Sequence, residues 1–287
     1  MPGCLFHIKE LLETLTAIER QIALFILDFP NEVINMTIEE LATSCSASTS
    51  SVVRFCKSMG YSGYKELCRA IAADLASNQN GSIKYEDIRP GDSTESILRN
   101  VCLSNISAIE NTMSLINLES LENAVKAIAN APRVDFYGIG SSGIVALDAH
   151  NKFMRINKIS MSSADPHEQI LSATTLKKGD VAVLISYTGD TKDIIETAEI
   201  VKQTEATLIS ITRYGKNQLS KMADIQLYSS SSETMMRSGA MGSRISQMTI
   251  IDILYTAVTS CIYDDVKKYL DKTRFVSSRK HIRPNSV

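Results

Sequence analysis

The chain has 287 residues, 44% of them apolar, and a formal net charge of −2. That length carries one small and one medium-sized domain with real cores, and the near-neutral charge excludes a generally basic protein that coats nucleic acid. No stretch approaches the ~18–20 consecutive apolar residues of a membrane span, and Met1-Pro2-Gly3-Cys4 lacks the basic-then-apolar signature of a secretory leader.

To about Ser77 the chain reads as all helix. Leu5, Ile8, Leu11, Leu12 and Leu15 recur at helical spacing. Thr16, with Glu19 three residues on, forms a capping box for a second helix carrying Ile22, Ala23, Phe25 and Ile26; Pro30 stops it. Thr37 and Glu40 repeat the box ahead of Ile38-Glu39-Glu40-Leu41-Ala42. Ser44 to Ser48 reads as a turn and Thr49 to Met59 as the next helix. Val52, Val53, Phe55 and Met59, then Leu67, Ile71 and Leu75, supply the apolar faces.

Two helices joined by a short turn make an element whose second helix can enter a DNA major groove by its N-terminal residues. Ser48, Thr49, Ser50 and Ser51 are short donors and acceptors that allow close approach to bases and phosphates. Arg54 and Lys57 project from the outer face, and Tyr64 and Lys65 follow as candidate phosphate contacts. Residues 1–80 hold six Lys/Arg against nine Asp/Glu, yet four of the six basic residues fall between 54 and 69, with only Glu66 opposing them. A local basic face on an acidic module binds DNA weakly alone and needs dimerisation to gather phosphate contacts. The alternative is a plain helical bundle used for protein contact.

Residues 78–95 are polar and rich in turn formers and read as a linker. Helical patterning resumes at Ser96 to Asn117 and again at Leu118 to Ala129. The period then changes: Val134 to Tyr137, Lys158 to Met161, Val181 to Ile185, Thr207 to Thr212 and Ile225 to Tyr228 read as short strands. Helical segments, clearest at Ile144 to Ile156 and Asp193 to Thr204, separate most of them, which predicts a parallel sheet covered on both faces. Arg244 to Ile262 is a long apolar helix that packs on that sheet or on a partner subunit. The tail after Tyr269 is basic and reads as a mobile end.

Two strand-to-helix junctions carry phosphate-type loops. Gly138-Ile139-Gly140-Ser141-Ser142 combines glycines for a tight turn with hydroxyls at a helix N-terminus, where free N–H groups and the helix dipole favour an anion. Ser186-Tyr187-Thr188-Gly189-Asp190-Thr191 places three hydroxyls and a glycine at a second junction. A hydroxyl-rich nest without lysine suits a phosphate monoester. Asp165 keeps a dinucleotide reading open, since it lies near the distance of a ribose-binding acid; simple helix capping by Ser and Thr is the bland alternative. Between the last strand and the long helix, Glu233 offers an acceptor for sugar hydroxyls and Arg237 and Arg244 offer phosphate partners, while His167 lies near the pocket mouth.

The six cysteines are scattered without a CxxC pair, and the four histidines lack metal-ligand spacing. The first pattern reads as a reduced, cytoplasmic protein, with Cys56 and Cys68 as small buried hydrophobes; the second points to no metal, and no cofactor is expected.

At these residues the sequence resembles the RpiR family of bacterial transcriptional regulators over nearly its whole length. The N-terminal match includes Leu15-Thr16-x-x-Glu19, Met36-Thr37-Ile38-x-Glu40-Leu41-Ala42 and Val53-Arg54-Phe55-Cys56-Lys57-x-Met59-Gly60-Tyr61-x-Gly63-Tyr64. Ala47-Ser48 and Ser51-Val52-Val53 depart mildly from the family's usual turn and recognition-helix residues. The C-terminal half looks like a SIS (sugar isomerase) domain. The resemblance implies an all-α helix-turn-helix domain (1–77), then an α/β SIS domain (96–287) with a five-stranded parallel sheet. It implies operator DNA and a phosphorylated sugar as partners, the sugar held at Gly140, Ser141, Ser142, Ser186, Thr188, Gly189 and Thr191, and assembly through SIS–SIS contacts into a homodimer or homotetramer. The runner-up is a phosphosugar isomerase or lyase with a helical appendage. Glu233 is a candidate base for it, but no well-placed partner histidine accompanies it, so no catalytic residue is assigned.

Overall fold

A computed structural model describes residues 3–77, 91–230 and 240–279. The chain divides into two compact units, an N-terminal one to Val101 and a C-terminal one holding nearly everything from Cys102 on.

The first unit contains α1 (Cys4–Leu11), α2 (Ala17–Asp28), α3 (Pro30–Val33), α4 (Ile38–Ser44), α5 (Thr49–Ser58) and α6 (Tyr64–Ser77). The apolar repeat from Leu5 to Leu15 does not make one helix. It tightens into a 3-10 turn at Leu12–Thr14, because Leu15 and Thr16 are extended to cap α2. Both capping boxes form: Thr16 N–H donates to Glu19 Oε2 at 3.1 Å and Thr37 N–H to Glu40 Oε2 at 2.7 Å, with the reciprocal bonds present. Pro30 stops α2 and also opens α3, where its missing N–H costs nothing. Ile8, Ile22, Ile26, Val33, Leu41, Val52, Phe55, Leu67 and Ile71 form the core. Cys56 is inside it and Cys68 half-buried; burial pushes the Cys56 thiol up to about 11, so it stays protonated.

α7 (Thr94–Leu115) crosses the division between the units. The C-terminal unit continues with α8 (Leu118–Asn130), β1 (Val134–Gly138), α9 (Ser141–Arg155), α10 (Pro166–Ala173), β2 (Val181–Ile185), α11 (Lys192–Gln203), β3 (Thr207–Arg213), α12 (Gln218–Met222), β4 (Ile225–Ser229), α13 (Met241–Cys261) and α14 (Tyr263–Arg279). The strands pair in the order β1-β2-β3-β4, all parallel. Phe136, Val183 and Ile211 point to a core shared with Val145, Phe153 and Ile250, and Tyr137, Leu184 and Leu208 to a second core with Ile194 and Val201. Burial on both faces is what makes β2 an unbroken apolar run and β1 one interrupted only by Asp135. α13 settles on the sheet through Ile250, Ile251, Leu254 and Val258. Of the basic tail after Tyr269, read as a mobile end, the residues to Arg279 belong to α14, and 280–287 lie outside the described residues.

Among the described residues the sheet has four strands, not five. The expected strand at Lys158 to Met161 does run beside β1, with Val134 N–H donating to Ile159 O and Phe136 N–H to Met161 O, each at 2.9 Å. The pairing stays an isolated parallel bridge between Arg133 and Ile159, because Met161 N–H turns to the Asp135 carboxylate (Oδ1, 3.0 Å) rather than to the main chain of β1. Lys158 is also occupied elsewhere: its Nζ donates to Ala129 O and Ala131 O, capping the end of α8.

Candidate functional site

In the N-terminal unit, α4 ends in a Schellman turn: Ala47 N–H donates to Ala42 O at 2.8 Å and Ser46 N–H to Thr43 O at 3.1 Å, with Ser46 left-handed at φ 50°. The chain re-enters helix at Ser48, whose Oγ accepts from Ser51 N–H at 3.1 Å. Val52, Phe55 and Cys56 bury one face of α5. The other face leaves Ser48, Thr49, Ser50, Arg54 and Lys57 exposed. Ser51 is different. It is 6% exposed, and its Oγ bonds Ser48 Oγ at 2.9 Å and accepts from Arg54 Nη2 at 3.2 Å. It steadies the arginine rather than presenting a hydroxyl outward. Tyr64 is also turned inward: its hydroxyl lies 3.1 Å from both Val33 O and Met36 O, tying α6 to the segment before α4. That hydroxyl is spent on structure, whereas Lys65 stays exposed.

In the C-terminal unit, register places the two loops side by side. Gly138 pairs with Ile185 at the carboxyl ends of β1 and β2, where open α/β sheets bind ligands. Gly140, the N-cap of α9, has φ 60° and ψ −126°, a conformation that disfavours side chains. A Cβ on Gly138 would lie 2.5 Å from Ser142 O, so this glycine lets α9 start hard against the strand. Neither α9 nor α11 receives a side-chain cap, which leaves first-turn N–H groups open at both junctions. The hydroxyls are thus not helix caps. Ser142 Oγ donates to Gln247 Oε1 at 3.2 Å. Ser186 Oγ bonds Thr191 Oγ1 at 3.0 Å and accepts from Gly189 N–H at 3.2 Å, while Thr188 Oγ1 accepts from Asp190 N–H at 3.3 Å. Ser141 and Thr188 are partly exposed, and Ser186 is buried.

Residues that sequence reading passed over hold these loops in place. Gln169, fully buried on α10, donates from Nε2 to Gly138 O at 2.8 Å and Ser163 O at 2.7 Å. Asn217 fills the space beside Gly189: a Cβ there would stand 2.1 Å from Asn217 Oδ1. Leu219 N–H closes the second loop onto Gly189 O at 2.9 Å. Asp135, wholly buried in β1, accepts from Arg133, Tyr137, Ser172 and Met161 N–H. An isolated polar residue inside an apolar run was the only sequence signal for it. Asp165, weighed as a ribose acceptor, instead caps α10 through His167 N–H at 2.8 Å, and His167 is exposed. Arg244 is half-buried in the first turn of α13; Glu233 and Arg237 lie outside the described residues.

Residues 3–78 match the helix-turn-helix domain of the rpiR family, and residues 127–257 match the SIS domain. An uncharacterized HTH-type transcriptional regulator of Caldanaerobacter subterraneus subsp. tengcongensis is 42% identical over 285 residues, 98% of this chain and 99% of its own. HexR, an HTH-type transcriptional regulator of Pseudomonas aeruginosa, is 32% identical over 259 residues, 90% of each chain. Among solved structures, Vibrio vulnificus NanR complexed with ManNAc-6P aligns over 98% of this chain and 100% of its own, at 25% identity and a TM-score of 0.62. The sugar isomerase domain of an RpiR transcription factor from Sphaerobacter thermophilus shares the fold, at 15% identity and a TM-score of 0.56 over 62% of this chain and 98% of its own.

Proposed function

Because the chain belongs to the RpiR family of helix-turn-helix transcriptional regulators with a SIS domain, we propose that a phosphorylated sugar bound at the two strand-end loops changes its affinity for operator DNA. The observation that carries this reading is the pair of uncapped helix N-termini, α9 and α11, leaving adjacent parallel strands. Open N–H groups and the helix dipole there favour an anion; Ser141, Thr188 and the Ser186–Thr191 pair supply hydroxyl donors around them, and Ser142, whose hydroxyl proton goes to Gln247 Oε1, offers its backbone N–H in the first turn of α9. Glu233 accepts from the sugar hydroxyls. Residues 1–77 read DNA, 78–95 link, and 96–287 sense, in a cytoplasmic homo-oligomer that carries out no turnover. The relatives' naming as regulators supports a sensor over an isomerase.

Coupling requires different sugar affinities in the DNA-bound and free states. The test is a thermal-shift panel of sugar phosphates, including N-acetylmannosamine 6-phosphate because NanR is seen with it, with unphosphorylated sugars and NAD as controls. A ligand that binds only the folded state raises its melting temperature. The expected result is a selective rise with one phosphosugar, which then shifts DNA affinity in a titration. A flat panel, or a rise with NAD alone, overturns the reading.

A further inference from the structure

α7 is a 22-residue helix that buries Ala108, Thr112 and Leu115. Thr112 stands out among them as a hydroxyl sealed into a helix core. It is fully used: Oγ1 donates to Ala108 O at 2.7 Å, one turn back, and accepts from Ser230 N–H at 3.1 Å. Ala108 O also accepts from Ser246 Oγ at 3.2 Å. One turn of α7 is thus tied at two points, to the residue that follows β4 and to α13. Apolar packing has no direction, whereas buried hydrogen bonds fix the register of a helix.

The tie to α13 leads back to the first strand-end loop. Gln247, next after Ser246, accepts the Ser142 hydroxyl proton on Oε1 at 3.2 Å. Successive residues on a helix point about 100° apart, so a single turn of α13 meets α9 through Gln247 and α7 through Ser246. Every residue in this chain of bonds is buried.

Gln247 Nε2 has no partner among the described residues. Its amide therefore has two arrangements around Ser142. In the first, Ser142 O–H donates to Oε1 and Nε2 is idle, at the cost of a buried unpaired donor. A hydroxyl has one proton and two acceptor lone pairs. An anion in the first turn of α9 is the stronger acceptor, since a charged partner makes a hydrogen bond roughly twice as strong, and it draws the Ser142 proton to itself. Turning the amide then lets Nε2 donate to Ser142 Oγ. The idle group changes from an N–H to a carbonyl, which protein interiors tolerate better. An anion thereby favours one arrangement over the other.

We propose that Gln247 is the positioning residue through which an anion at the first loop acts on α7: its amide turns, the α13 turn shifts, and Ser246 passes the shift to Ala108 O. This rests on the reading of the strand-end loops as an anion site and adds the route by which occupancy leaves that site. α7 runs across the division between the two units, so a change in its register is carried along one continuous helix.

The test is amide hydrogen exchange by mass spectrometry on the full-length protein, in inorganic phosphate and in chloride at the same pH and ionic strength. In the unsubstituted protein, phosphate is expected to slow exchange in the first turn of α9, and to slow residues 108–115 about threefold more than residues 118–130 of α8, which lie outside the chain of bonds. Ser246→Ala strands no group, because Ala108 O keeps the bond from Thr112. Gln247→Leu cuts the same route one residue on and leaves no amide behind. In both variants α9 is expected to stay slowed while the excess at 108–115 disappears. A Ser246 that served structure alone would change the melting temperature and leave the excess in place.

Slowing at α9 with no excess in α7 of the unsubstituted protein overturns the route and leaves the anion site standing. An excess that survives in both variants overturns the roles of Gln247 and Ser246. No slowing at α9 overturns the anion site itself, and with it the trigger.

Discussion

Ser142 Oγ donates to Gln247 Oε1 across 3.2 Å, joining the first loop to α13 from far along the chain. Both side chains are buried, at 9% and 1% exposure, and Gln247 Nε2 has no partner among the described residues. Ser142→Ala therefore leaves a whole amide unpaired and is expected to cost about 1–3 kcal/mol. Adding Gln247→Leu removes the stranded group and is expected to recover most of that loss. Urea unfolding of the two single variants and the double variant gives the coupling, and a value below about 0.3 kcal/mol would mean that the bond is energetically idle.

Arg54 and Lys57 are the exposed cations of α5. Arg54→Ala is expected to cost about 1–3 kcal/mol of operator affinity if it reads a base edge, and Lys57→Ala to lower the salt slope by about one. Ser51→Ala, which removes the bond steadying Arg54, is expected to weaken binding less than Arg54→Ala does. Fluorescence anisotropy against salt measures all three. Equal losses for Ser51→Ala and Arg54→Ala would place Ser51 itself on the DNA.

Ser46 and Gly60 occupy equivalent C′ positions after α4 and α5, at φ 50° and φ 85°. Gly60 completes the second Schellman turn, with Tyr61 N–H donating to Cys56 O at 2.9 Å and Gly60 N–H to Lys57 O at 3.0 Å. A left-handed L-residue costs roughly 1–2 kcal/mol, partly offset by the larger chain entropy glycine loses on folding. Ser46→Gly is expected to stabilise the N-terminal unit by about 0.5–1 kcal/mol. A lower melting temperature would show that the serine side chain makes a compensating contact.

Acid is expected to loosen the N-terminal unit. The Thr37 N–H and hydroxyl hold Glu40 below its ordinary 4.5. The Ser62 hydroxyl and N–H do the same for Glu66, and for Glu19 partial burial pushes upward but the Thr16 donors outweigh it. A carboxyl with a depressed folded-state value contributes stability that is full above its unfolded value and lost as pH falls through the folded one. Loss should therefore begin near pH 4.5. Burial raises Asp74 from its ordinary 3.8, so its protonation gives a little stability back. Amide exchange in α2 and α4 between about pH 5.5 and about pH 3.5 reports this window. Glu40→Gln keeps an N3 acceptor without the charge and should flatten the response in α4. Exchange that does not respond to pH there would assign the acid sensitivity to other groups.

Local chemistry made much of the fold legible. Thr16 with Glu19 and Thr37 with Glu40 satisfy their own helix starts within three residues, so the pattern carries the geometry. β1 and β2 were legible because burial on both faces favours apolar residues, with Asp135 the one charged residue in β1. Residues 158–161 misled for the opposite reason: their apolar pattern is real, but whether they join the ladder is settled by Asp135, distant in sequence. α10 went unread because its start depends on Asp165 and Pro166 at a bend rather than on a strong apolar period.

The sequence alone determined the helix-turn-helix, the alternation of strands and helices, and the two glycine- and hydroxyl-bearing junctions, since each rests on residues within a few positions of one another. Tertiary structure decided which of those hydroxyls are already engaged. Ser51 is drawn inward to Arg54, Tyr64 to Val33 and Met36, and Ser142 to Gln247, while Gln169 and Asn217 brace the loops. The physical reason is reach. A cap is a bond between near neighbours, whereas the partner of a buried hydroxyl is whatever packing delivers, and only the folded chain brings Gln247 to Ser142.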